Sequence, residues 1–349
     1  MKSIIVVGDY ISQIHEESIF LELCKRDFKV FKIKHSNLTL YLKFFKWIPF
    51  MKEFSKKLMI FINEFNVISK IKLNHPSYIF FYRPLLFSSN FFLKIKKLDN
   101  NIKIICYNND NPFSKKYSAS YWKNYKSNCK YADLILAYRD SDIKEYRKIS
   151  NKQVKIFPPY VTDLVVNCSE RKIKNFSASN KITFVGHFED DGRLETLDYL
   201  YKNNLKIKLF GPKSGWNTNI IKKNIGLQFL PVMKMNYQEY VEYLSNLLIG
   251  LCFLSKLNKD VLTRRCFEFT YMGVCLVSEY NSYLADLFLE DNEAIYFRNK
   301  EELLEKLNYL LKNREYLKKI ALAGQQKCHK LRVTVKDRID SLENYILKK

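Results

Sequence analysis

Short runs of β-branched and aromatic residues recur along this chain between longer stretches of helical spacing, and no other feature limits the fold as much. In the first half the runs are Ile4–Val7, Lys29–Lys32, Tyr78–Tyr82, Ile102–Tyr107, Leu134–Ala137 and Val154–Phe157. Several are apolar almost throughout rather than alternating, the pattern of strands covered on both faces. Intervening segments such as Glu16–Arg26, apolar at 19, 20, 21, 23 and 24, read as helices. Strand and helix in alternation predict an α/β, doubly wound parallel sheet.

Pro158-Pro159 closes the last of these strands, and a polar, turn-rich stretch follows from Thr162 to Asn180. A second alternation then begins. Strands are expected at Lys181–Val185, Lys206–Phe210, Leu248–Phe253 and Val274–Ser278, with helices at Leu194–Lys202, Tyr237–Asn246 and Arg265–Met272. Glu301–Ala323 reads as one helix stopped by Gly324, and Val333–Leu347 as a last one. A chain of 349 residues, 47% hydrophobic, is long enough for two cores. The expected division is 1–165, a linker at 166–180, a second domain at 181–329 and a terminal helix at 330–349.

A formal net charge of +23 favours polyanions: nucleic acid, anionic headgroups or phosphorylated substrates. No RNP-type strand, zinc-finger spacing or concentrated basic helix is present, so no nucleic-acid partner is expected. The eight cysteines show no closely spaced pairs and several lie in apolar runs, which suits buried, reduced thiols and a cytoplasmic setting. MKSIIVVGD is too short for a signal-peptide core and reads as a first strand. No uncharged 18-residue apolar stretch occurs. Leu38–Phe65 interleaves Lys with Phe, Trp, Leu and Ile, a composition suited either to an interfacial helix on an anionic membrane or to ordinary packed helices, with Pro49 dividing it.

Three blocks carry the candidate chemistry. FVGHFEDDGRLE (Phe184–Glu195) offers a tight turn at Gly186 and a guanidinium at Arg193, whose fork suits a diphosphate or, alternatively, a carboxylate at Glu189 or Glu195. His187 sits in the same turn. FGPKSGW (Phe210–Trp216) offers Gly211 at a strand end and Lys213 as a cation in a loop. KLNKDVLTRRCFEFTYMG (Lys256–Gly273) sets Asp260 eight positions before Glu268, with Thr263 and Arg265 between them. Carboxylates accept hydroxyl hydrogen bonds well, and a wholly helical path would put these two about 12 Å apart. In the first half, Gly8 follows the first strand and Asp110 lies in NNDNP after another, where it can orient a hydroxyl or close an Asx turn. The triplets Glu189-Asp190-Asp191 and Asp140-Ser141-Asp142 have metal-like spacing; the second precedes a helix and reads as capping, and no metal is predicted.

Together these blocks resemble the C-terminal half of a GT-B glycosyltransferase, and D..T.R.FE (Asp260–Glu268) resembles the CgeB-like spore-maturation branch related to family 4. The resemblance implies two Rossmann-like domains facing a cleft, with the terminal helix crossing back to the first. It implies a nucleotide-sugar donor with Arg193, Lys213 and Arg265 on the diphosphate, Glu268 on the ribose, Asp260 by the sugar, and Thr263 nearby. Gly186 and Gly211 would shape the donor loops. Gly8 would lie near donor phosphate or acceptor and Asp110 near the reacting groups, while His187, like His15, is a candidate for the cleft by its position alone. The implied reaction needs no cofactor, retains anomeric configuration and delivers sugar to a saccharide, lipid-linked or protein acceptor in surface glycoconjugate synthesis; the expected setting is cytoplasmic, and peripheral on the inner face of the plasma membrane if Leu38–Phe65 is interfacial. A non-catalytic polyanion binder, a GT-B nucleotide-sugar epimerase and an inactive scaffold remain as alternatives.

Overall fold

A computed structural model describes residues 2–35, 49–171 and 182–347. It divides into two compact units, Met1–Pro158 with Ile339–Lys349, and Pro159–Arg338.

In unit 1 the order is β1 (Lys2–Gly8), α1 (Glu16–Leu23), β2 (Phe28–Lys34), α2 (Pro49–Asn74), β3 (Tyr78–Tyr82), α3 (Phe91–Leu98), β4 (Lys103–Asn108), α4 (Lys123–Cys129), β5 (Leu134–Ala137), α5 (Asp140–Ile149) and β6 (Gln153–Ile156). The sheet runs β2-β1-β3-β4-β5-β6, parallel throughout. Ile5, Val7, Ile79, Phe81, Ile104 and Cys106 point to one face, into a core closed by α2, α3 and α4. Residues between them are buried too, which is why the strands read as continuous apolar runs. α2 runs unbroken from Pro49, a residue well suited to a first helical position, so proline does not divide the described part of this stretch. Residues 38–48 of the expected interfacial segment lie outside the described residues.

Unit 2 contains α6 (Asp163–Arg171), β7 (Ile182–Val185), α7 (Arg193–Lys202), β8 (Ile207–Phe210), α8 (Lys213–Lys223), α9 (Tyr237–Leu244), β9 (Ile249–Cys252), α10 (Arg264–Tyr271), β10 (Cys275–Glu279), α11 (Ser282–Leu287), β11 (Ile295–Phe297), α12 (Lys300–Lys312) and α13 (Arg314–Lys330). Its sheet runs β11-β10-β9-β7-β8, again parallel. Adjacent residues feed opposite cores: Leu251 faces the one built with α7, α8 and α12, Cys252 the one built with α6, α9 and α10.

The stretch 163–171, expected to straddle a domain end and linker, is helical, and Val165 is buried in the second of those cores; residues 172–180 lie outside the described set. Glu301–Ala323 is two helices broken at Asn313, and Gly324 sits inside α13. A Cβ at Gly324 would lie 2.3 Å from the Glu293 carbonyl oxygen, so this glycine permits close packing instead of ending a helix. The last helix, α14 (Val335–Leu347), begins in unit 2, where Val161 pairs with the backbone of Val333 and Val335. From Ile339 it belongs to unit 1, where Asp340 meets Arg26 at 2.8 Å.

Candidate functional site

Open parallel sheets bind ligands beyond the C-terminal ends of their strands. In unit 2 the loop after β7 holds the first block. Gly186 donates its N–H to the Phe210 carbonyl, and its own oxygen accepts the Trp216 indole N–H at 2.8 Å. A Cβ at Gly211 would lie 2.2 Å from that same oxygen and 2.5 Å from the indole nitrogen. Gly211 therefore lets two loops and an indole share one space, while a Cβ at Gly186 would meet the Phe184 ring at 2.7 Å. Trp216 is fully buried in α8, and the segment read as a loop is helical from Lys213, which is exposed.

Arg193, the first residue of α7, is buried and surrounded by acceptors. Its Nε and one Nη meet the two Asp191 oxygens at 2.8 and 2.6 Å, the other Nη donates to the His187 carbonyl, and Glu189 lies 3.7 Å away. A longer contact of 3.4 Å reaches the Leu254 carbonyl after β9. The guanidinium thus staples the β7–α7 loop to the β9–α10 loop, instead of standing open for a diphosphate. The acidic triplet is spent in the same way: Asp191 on Arg193, Asp190 on Lys223, and Glu189 on the Leu257 N–H. His187 is exposed. Among the described residues no group of three or more His, Cys, Asp or Glu is arranged to hold a metal ion.

The third block splits. Asp260 sits half-buried in the loop between β9 and α10, its N–H donated to Ser255. Glu268 lies inside α10 and is fully buried. One of its oxygens accepts from Tyr237 at 2.9 Å with Arg264 at 3.1 Å, and the other accepts from Tyr240 at 2.9 Å. Burial, and next the Glu268 charge, push both phenols well above their ordinary range, so they remain donors. A ribose could reach Glu268 only by displacing these partners. The sequence reading missed both tyrosines; their spacing on α9 was the available signal.

Thr263 occupies the N-cap position of α10, its hydroxyl 3.5 Å from the Cys252 sulfur, which lies 3.7 Å from that of Cys266. The Cys266 hydrogen bond and then the nearby Arg265 draw the Cys252 thiol below its ordinary pKa. Arg265 is half-buried, and its Nε is buried without a hydrogen-bond partner.

A cavity of about 160 Å³ opens at the ends of β7, β9, β10 and β11. Arg193, Lys256, Arg298 and Lys300 line it against Asp191 and Glu279, four cations to two carboxylates. Glu279 accepts the Leu254 N–H and lies 3.5 Å from Lys256. Except for Arg193, none of these cations was singled out from sequence, because they come from separate loops without a motif.

Unit 1 has its own set at the strand ends. Gly8 makes room for Glu16: a Cβ there would lie 2.4 Å from Glu16 Cγ. Glu16 is fully buried and accepts the Tyr10 N–H. Burial first, and then Asp9, raise its carboxyl to about 8. Asp110 exchanges Asx-type hydrogen bonds with Asn108 and pairs with Arg83 at 2.8 Å. Arg83 also donates to Tyr121, and His15 stacks on Tyr82 at 5.1 Å. In the Asp140-Ser141-Asp142 triplet, buried Asp142 pairs with Arg139, the residue at the N-cap position.

The chain can now be set beside known proteins. Residues 193–344 match a family model described as glycosyl transferase-like. Sucrose-phosphate synthase from Thermosynechococcus elongatus superposes with a TM-score of 0.70 at 11% identity, over 99% of each chain. The Anabaena protein HepE, solved with UDP-glucose, gives 0.67 at 8% identity over 100% of each chain. The fold is GT-B. A glycosyltransferase from Rickettsia africae is similar over 100% of this chain and 99% of its own, with a TM-score of 0.62 at 15% identity. No curated protein matches this chain in sequence.

Proposed function

We propose that this protein is a nucleotide-sugar-dependent glycosyltransferase of the CgeB-like kind, holding its donor on unit 2 and its acceptor on unit 1. One observation carries the reading: the segment that matches the glycosyl transferase-like family, 193–344, supplies every residue lining the cationic cavity except Asp191 and Gly192.

Departure of a nucleoside diphosphate leaves negative charge on the β-phosphate, and fixed cations aimed at it lower the barrier without reorganising. Lys256 and Lys300 from the cavity lining are the cations for that task, joined by Arg265 and Lys213, which lie outside the lining and follow from the resemblance; Arg193 is engaged by Asp191 as the staple that fixes the loop, and Arg298 by Glu290 and Glu302. The α10 N-terminus, with Thr263 and Arg265, adds backbone N–H groups and the positive end of the helix dipole. Asp260 is the carboxylate placed to meet sugar hydroxyls. Glu268, enclosed by Tyr237, Tyr240 and Arg264, acts on the donor by positioning α10. Asp110, steadied by Arg83, orients the acceptor hydroxyl. The reaction is read as metal-independent and retaining, with a saccharide, lipid-linked or protein acceptor in surface glycoconjugate synthesis.

Thermal-shift binding against UDP, GDP, ADP, CMP and their sugars, with and without EDTA, tests this. Stabilisation by one nucleotide family, unchanged by EDTA and weakened in Lys256→Ala and Arg265→Ala, is the expected result. Donor consumption without any acceptor would turn the reading to an epimerase. No shift with any nucleotide, together with salt-sensitive DNA binding, would replace it with a polyanion binder.

A further inference from the structure

Helix α2 is apolar on two faces. The face turned to the core carries Ser55 and Asn63 beside Val67 and Ile71, all buried, and Asn63 is satisfied by donating to the Leu86 carbonyl at 3.1 Å. The opposite face carries Phe54, Leu58, Phe61, Ile62 and Phe65, exposed at 60, 48, 66, 42 and 61%. Their spacing of four, three, one and three residues makes a single stripe about 16 Å long. Phe61 and Phe65 stack on each other at 6.4 Å, so the stripe is continuous. Scattered exposed apolar residues need no explanation, but five on one helical face do.

We infer that this face of α2 docks unit 1 on an anionic bilayer surface, rings at the acyl boundary and lysines at the headgroups. Charge and area select that occupant. Exposed Lys57 flanks the stripe and exposed Lys72 extends the positive charge along the same side, whereas Lys70 turns its ammonium over the Phe31 ring at 5.7 Å. Of the two acids between Phe54 and Asn74 or immediately before them, Glu53 is exposed, while Glu64 is neutralised by Lys94 at 2.8 Å. The whole chain carries +23, so a second copy would meet its own repulsion while an anionic surface attracts. Five partly exposed side chains offer on the order of 500 Å², short of the ~800 Å² per partner that a specific protein interface buries. An interfacial helix needs only an apolar stripe between cationic flanks. No described helix is long and apolar enough to cross a membrane, so the contact lies in the plane of the surface. Sugar chemistry plays no part in the contact, and its test needs neither donor nor acceptor.

The experiment is co-sedimentation of the full chain with phosphatidylcholine vesicles, with and without phosphatidylglycerol, at low and near-physiological salt. Binding is expected to the anionic vesicles, to fall with salt, and to persist in part where screened charge alone would not hold it. Phe61→Ser with Phe65→Ser should weaken vesicle binding roughly tenfold while leaving the melting temperature in place, since both rings are mainly outside the core. Three outcomes would overturn the assignment. They are absence of vesicle binding, equal binding by wild type and double variant, and a wild-type dimer in sizing that the double variant converts to monomer.

Discussion

The two sheets end alike and yet carry opposite chemistry. Each first strand meets a glycine, Gly8 as the last residue of β1 and Gly186 just after β7. Under Gly8 lies a carboxyl raised to about 8, next to Asp9. Beside Gly186 lie an indole and a stapled arginine, and beyond them a cavity with four cations against two carboxylates. One fold used twice thus yields an acidic edge suited to hydroxyl groups and a cationic edge suited to phosphate. What separates them is the side chains gathered at each edge, not the strands.

Gly211→Ala should break unit 2 most severely. The added carbon meets a backbone oxygen at 2.2 Å, which cannot swing aside, and about 3 kcal/mol of destabilisation is expected in denaturant melts. Gly8→Ala is its counterpart and should cost less, because the atom it meets, at 2.4 Å, belongs to the Glu16 side chain. If the two cost the same, the glycines are not doing different jobs. Tyr240→Phe removes a hydrogen bond to the buried Glu268 carboxylate and should cost about 2 kcal/mol, with donor affinity falling only as α10 shifts.

Glu16→Gln sharpens the acidic side. Its amide can keep the carbonyl contact to Tyr10 and offer an N–H2 where the acid holds its proton. The carboxyl titrates at about 8 when folded against 4.5 ordinarily, so the folded state holds the extra proton between those values. Its contribution is complete below the unfolded pKa and disappears as pH rises through 8. Wild type and variant should therefore melt alike near pH 5, and the variant should gain an advantage towards pH 9 of about 4 kcal/mol. A flat difference across that range would remove Glu16 as a titrating group. The smallest effect belongs to Lys256→Ala: stability within about 0.5 kcal/mol, as usual for a surface change, but nucleotide binding several-fold weaker.

The sheets were legible because their strands are buried on both faces, leaving apolar runs that no neighbouring helix imitates. β11 was missed, having only three residues between the polar stretches DNEA and RNKE. The α8 start was hidden by the Lys-Ser-Gly sequence, which has loop composition but is anchored by Trp216 in the core. Site residues were harder for a physical reason. Sequence shows that Arg193 is a cation near a strand end, but not that Asp191, two positions earlier, turns back onto it at 2.6 Å. Likewise the spacing of Asp260 and Glu268 is visible, while the tyrosines enclosing one of them come from a helix more than twenty residues away. The twofold apolar character of α2 showed in its composition as an alternative between packing and interface; only the direction of each ring separates the two.

The path of the chain has a temporal consequence. Unit 2 is a continuous segment, whereas unit 1 is completed by Ile339–Lys349, held through the Arg26–Asp340 contact. During synthesis the first unit to emerge is therefore the last to be finished, because it waits for the residues that follow Arg338. A stop codon just after Arg338 would spare the later unit and strand the earlier one.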